Sequence, residues 1–122
     1  MTQEEKRLLL KDLCARLPYG VNVLTNESKT ICRLLRGGEY EDGEKYFIAT
    51  KIGCALKINE FKSFLRPMSS MTDEEKEYYN DIRRYLVRDD WEVVDWLNAH
   101  HFDYRGLIEK GLALEAPEGM YE

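Results

Sequence analysis

The sequence predicts an α+β fold: an N-terminal helix, a small antiparallel β-meander of about four strands, and a C-terminal part of two to three helices. Three observations carry this reading. Apolar residues recur at helical spacing before residue 18 and again after residue 72, with alternation between them. Capping boxes of the form T-x-x-E stand at Thr2–Glu5 and Thr72–Glu75, each just ahead of a helical stretch. No repeat, low-complexity run or linker interrupts the 122 residues, which suit one domain. Within it, residues 1–18 are assigned to the helix, 20–58 to the meander and 59–122 to the helical part.

In the first helix Leu9, Leu10, Leu13, Cys14 and Leu17 fall on one face. Pro18 disfavours helical backbone at Leu17, so the helix is expected to end there, with Tyr19-Gly20 as its exit. "VNVLT" alternates, with Val21, Val23 and Thr25 on one side, and "NESK" is a turn before "TICRLL". "RGGEYEDGE" holds three glycines and four acidic residues and is expected to be an exposed loop. "KYFIAT" and "CALKI" are the remaining strands around Gly53. Such a meander is marginal alone, so the first helix should pack across it.

"NEFKSFL" spaces Phe61, Phe64 and Leu65 as a single helical turn would, and "RPMSSM" joins the halves. In the second long helix Tyr78, Ile82, Tyr85 and Leu86 form a buried stripe opposite Lys76, Arg83 and Arg84. Asp89 caps a third helix, in which His101 shares a face with Val93, Val94 and Leu97. Asp103 is expected to cap a short fourth helix, "YRGLIEK", ended by Gly111 in the left-handed conformation.

Composition narrows function. Net charge is −5, from 18 Lys+Arg against 23 Asp+Glu, so no basic excess marks a nucleic-acid partner. Leu8-Leu9-Leu10 is far short of the ~20 apolar residues of a membrane span, and "MTQEEKR" lacks a secretion signal's apolar core. A cytoplasmic location is the expectation. Cys14, Cys32 and Cys54 lie apart among apolar neighbours and are read as reduced, buried thiols rather than zinc ligands. Phosphate-binding loops and nucleophile elbows are absent, and no cofactor is expected.

The densest chemistry is "NAHHFDYRG", Asn98–Gly106, which holds the only two histidines. Adjacent helical histidines point about 100° apart and do not readily chelate one metal, unlike an i, i+4 pair. Packing explains most of the segment: His101 as a hydrogen-bonded core histidine with a lowered pKa, Asp103 as a cap, Arg105 at the surface. His100, Tyr104 and Arg105 are the candidate binding residues. A small enzyme or metal site around His100, Asp103 and Tyr104 is the alternative. A nucleic-acid-binding accessory protein using Arg83, Arg84 and Arg88 is a third reading.

Three blocks, "LLLKDLCARLPYGV", "FLRPMSSMTDEEKE" and "DWLNAHHFDYRGLIEKGLALEAPEGMY", resemble uncharacterised small proteins of gut Bacteroidales genomes and their phages. The likeness spans roughly half the chain in matching order, with Asn22 to Ile58 as the most variable stretch. The resemblance implies an accessory protein of a bacterial or prophage genome, and no catalytic residue is carried over from it. The expected function is therefore non-catalytic binding of another protein.

Overall fold

The first helix, α1, runs Gln3–Arg16, and its capping box forms: the Thr2 hydroxyl accepts the Glu5 N–H and the Glu5 carboxylate accepts the Thr2 N–H. The computed structural model describes residues 1–85 and 90–121, the side chains of Tyr85 and Asp90 excepted. Leu86, Arg88 and Asp89, which the sequence reading placed in the stripe, the basic face and the third cap, lie outside the described residues. Leu17–Tyr19 tighten into one 3-10 turn, and Gly20 leaves it at φ 71°. A side chain at Gly20 would be strained by that φ and would collide with the Arg33 guanidinium, 2.1 Å from an ideal Cβ.

The buried stripe of α1 is Leu9, Asp12, Leu13 and Arg16, not the wholly apolar set expected. These positions keep the i, i+3, i+4, i+7 spacing, but two of them are charged. The helix is therefore rotated, leaving Leu10 and Leu17 half-buried and Cys14 exposed. Cys54 is also exposed, so only Cys32 is a buried thiol. Both outer cysteines correct the expectation of three core thiols.

Five strands form one sheet: β1 Asn22–Thr25, β2 Ile31–Glu39, β3 Lys45–Ala49, β4 Phe61–Leu65 and β5 Ala113–Glu115, in the order β3-β2-β1-β4-β5. Val21, Val23 and Thr25 are buried on one side, as their alternation requires. The expected loop "RGGEYEDGE" begins later: Arg36 to Glu39 stay paired with Lys45 to Ile48 after a bulge at Leu35. Two glycines fit the strand there because an ideal Cβ at Gly38 would lie 2.3 Å from the Tyr46 ring. "CALKI" is not a strand; only Leu56 pairs, in a single bridge to the outer edge of Phe47, with both bonds at 2.8 Å.

"NEFKSFL" is not a helical turn either. Phe61–Leu65 is the strand β4, between β1 and the parallel β5. Phe61, Ser63 and Leu65 share the buried side of Val23, while Phe64 is buried on the other side. Burial on both faces removes the alternation that marks a one-sided strand. The sheet thus gains two strands from the supposedly helical part.

Helix α2, Asp73–Tyr85, starts at a formed Thr72–Glu75 capping box. Its inner side is Glu75, Tyr79 and Ile82, all half-buried, whereas Tyr78 of the expected stripe is 51% exposed. Helix α3, Asp90–Ala99, packs on it through Trp96, whose ring lies 5.4–6.0 Å from those of Tyr78, Tyr79 and Phe102. The expected fourth helix is a series of turns, although Gly111 does adopt φ 73°. Two cores result: Leu9 and Leu13 with the sheet, Leu107 and Leu112, and a smaller one around Met71, Leu97 and Phe102. No described helix is long and apolar enough to cross a membrane.

Candidate functional site

Helix α3 ends inside "NAHHFDYRG" in a Schellman arrangement. The Phe102 N–H bonds to the Leu97 carbonyl at 2.9 Å and the His101 N–H to that of Asn98 at 3.1 Å. His101 occupies the left-handed position at φ 64°, where glycine is usual and histidine is tolerated. It therefore lies past the helix, not on its Val94–Leu97 face. The expected burial is found, 9% exposed, but the cause differs: the ring stacks on Tyr121 with centroids 3.7 Å apart. No hydrogen bond reaches its buried Nδ1, which corrects the hydrogen-bonded reading. Burial first, then the Arg16 charge, pushes its pKa down to about 4.

The turn after His101 is held from three directions. Arg66 N–H donates to the His101 carbonyl at 2.7 Å, and Asp103 N–H to that of Arg66 at 2.8 Å, extending β4 by one bridge to Phe102. The Asp103 carboxylate accepts the Leu107 and Ile108 N–H groups at 2.8 and 3.0 Å. Asp103 caps a turn, as expected of the residue, though no helix follows it. Both carboxylate oxygens are thereby committed to backbone.

Tyr104 and Arg105 meet a buried ionic network that the sequence reading did not include. Asp12, fully buried, accepts from Arg16 Nε at 2.8 Å and from Arg105 Nε at 3.1 Å. Arg16, also fully buried, donates onward to the Phe102 carbonyl at 2.6 Å. Arg105 donates to the Tyr104 hydroxyl at 2.8 Å, and that hydroxyl donates to Asn98 at 3.0 Å. Arg105 is therefore half-buried and paired, not a free surface cation. A charged i, i+4 pair interleaved with Leu9 and Leu13 was the available signal for this network.

His100 belongs elsewhere. Its ring packs on Trp96 at 4.6 Å, and Nδ1 stands 3.7 Å from Glu75. Glu75 forms a bidentate pair with Arg66 at 2.7 and 2.9 Å, and that pair is the main cause of a carboxyl pKa lowered to about 2. The three candidate binding residues thus divide between two networks, with no hydrogen bond joining His100 to Tyr104 or Arg105 among the described residues.

No group of three or more His, Cys, Asp or Glu side chains is placed to hold a metal among the described residues. An apolar groove of about 430 Å³ opens between α1 and the β2–β3 hairpin, lined by Cys14, Leu17, Gly37 and Phe47 among others. A more polar cleft of about 360 Å³ lies between Arg66, Thr72 and Glu115–Tyr121. Neither contains His100, Tyr104 or Arg105. Arg83 and Arg84 are exposed on α2, with Arg83 over the Tyr79 ring at 5.1 Å. No family model, curated protein or solved structure matches this chain.

The sheet offers a different kind of site. Its α1-facing side is covered apart from the apolar groove, and on the opposite side Phe64 of β4 is buried, but across β1–β3 Ile31 is 48% exposed and the bulge residue Leu35 54%. Leu24 and Ile48 on that side are half-buried. Register sets Leu24 beside Ile31 and Lys62, and Ile48 beside Arg36. An aliphatic patch flanked by cations is the arrangement suited to contact with another macromolecule.

Proposed function

We propose that the protein is a non-catalytic interaction module: a cytoplasmic accessory protein of a bacterial or prophage genome that binds another protein. The observation carrying this reading is where the polar groups go. Asp12, Arg16, Tyr104, Arg105 and Asp103 spend their hydrogen bonds on one another, on the Asn98 side chain and on backbone. An enzyme instead needs such groups converging on a cavity that admits substrate. The open side of the sheet, in contrast, keeps aliphatic side chains in solvent.

Affinity capture of the tagged protein from its host, followed by mass spectrometry, tests the reading. A partner should be recovered with wild type and with His100→Ala, but lost with Ile31→Asp. If no protein is enriched while the purified chain turns over a metabolite in activity screening, the module reading fails.

A further inference from the structure

We propose that the open side of the sheet docks an acidic amphipathic helix of a partner protein. The inference rests on the interaction reading above and adds the surface and the chemistry of its occupant. Along this side Arg33, Arg36 and Lys62 project from β2 and β4. None of the three has an ion-pair partner among the described residues. The strand positions sharing this side carry no carboxylate, in a chain whose net charge is −5. At its margin Glu60 turns back to accept the Lys57 N–H at 3.0 Å. The strand positions of this side therefore carry three cations and no acid.

Architecture selects a helix. Over β1–β3, where α1 covers one side and the other is open, a helical layer would complete the packing, and Leu24, Ile31, Leu35 and Ile48 supply the apolar contact. An added strand would lengthen an edge and leave this side bare, and at the β3 edge Leu56 already bonds Phe47. Charge selects the sign: carboxylates flanking the partner's apolar stripe would meet Arg33, Arg36 and Lys62. Single-stranded nucleic acid would meet the same cations but needs aromatic platforms along its path. On this side the accessible aromatics are confined to the Tyr40–Tyr46 pair at the far end of the β2–β3 hairpin, while the residues among the cations are aliphatic.

The probe is a synthetic helix of about 18 residues, roughly five turns, with a leucine stripe flanked by glutamates. Controls are the same stripe flanked by lysines and a single-stranded oligonucleotide. Amide shifts of the full chain are followed by NMR at physiological salt. The glutamate helix should perturb Leu24, Ile31, Arg36, Ile48 and Lys62, and Arg36→Glu/Lys62→Glu should weaken it about tenfold or more. Should that variant unfold, Arg36→Gln/Lys62→Gln replaces it, with the same direction expected.

Equal binding of the lysine helix, no shift on this side, or preference for the oligonucleotide each overturns the assignment. Self-association through this side, seen by sedimentation and lost on Arg36→Glu/Lys62→Glu, overturns it in favour of a second copy. The interaction reading has its own outcome: a captured partner that survives these substitutions sinks the docking proposal alone.

Discussion

At the scale of single residues, His101 shows a side chain buried for a reason its sequence neighbours do not reveal. Its folded pKa of about 4 lies below the ordinary 6.5, so the unfolded chain takes up the proton first. The stability associated with neutral His101 is complete above about pH 6.5 and is lost as pH falls towards 4. Unfolding midpoints in urea should drop across that window by the equivalent of about 1–2 kcal/mol, a value reduced for partial solvent screening. A ring titrating by NMR near 6.5 would contradict this. His101→Ala loses the Tyr121 stack and keeps the left-handed backbone, so it should cost about 1–3 kcal/mol; His101→Gly should cost less. Thiols give a simpler check: a thiol reagent should modify Cys14 and Cys54 quickly in the native protein and Cys32 slowly, since burial also raises the Cys32 pKa.

Asp12 sets the larger residue-scale effect. Two arginines converge on its buried carboxylate, and Arg16 Nη1 already lacks a partner. Asp12→Asn would leave Arg16 as a buried charge without its counterion, a loss of about 3–5 kcal/mol. Equilibrium denaturation measures it directly. A change under about 1 kcal/mol would mean that the network is wetted in solution.

At the scale of elements, the Thr72–Glu75 box does two tasks. It caps α2, and its glutamate anchors the helix to Arg66 at the end of β4. Thr72→Ala removes one capping bond and should cost about 1 kcal/mol. Glu75→Gln should cost more, about 1.5–3 kcal/mol, because it also discharges the bidentate ion pair. Glu75 titrates at about 2 against an ordinary 4.5, so its stabilisation is complete above about 4.5 and lost as pH falls through 2. The difference between wild type and Glu75→Gln should shrink over that range.

At the scale of the whole molecule, Tyr121 ties two strands of the sheet together. The Tyr121 hydroxyl accepts the Asn22 N–H at 2.9 Å and donates to the Phe64 carbonyl at 2.7 Å, standing between β1 and β4 where their ladder stops. Burial, the largest cause, pushes this phenol up to about 12. Tyr121→Phe keeps the stack on His101 but strands two backbone groups, so about 1–3 kcal/mol should be lost. Hydrogen exchange at the Asn22 amide should accelerate more than at Val23. Unchanged protection there would show that the hydroxyl bridge carries no stability.

Local sequence determined what depends on near neighbours. The α+β class, both capping boxes, the exit of α1 at Gly20, the hairpin from Val21 through Ile31, the αL glycine at 111 and the capping role of Asp103 all follow from residues within a few positions. Tertiary structure decided everything whose cause lies far along the chain. β4 escaped recognition because it is covered on both sides, so its apolar residues mimic a helical stripe. β5 pairs in parallel with β4, a partnership that needs a long crossover and leaves no local mark. The rotation of α1 depended on Arg105, 93 positions from Asp12, and the burial of His101 on Tyr121. The candidate site divided for the same reason: His100, Tyr104 and Arg105 are neighbours in sequence, but charges and rings from α1 and α2 draw them to different partners.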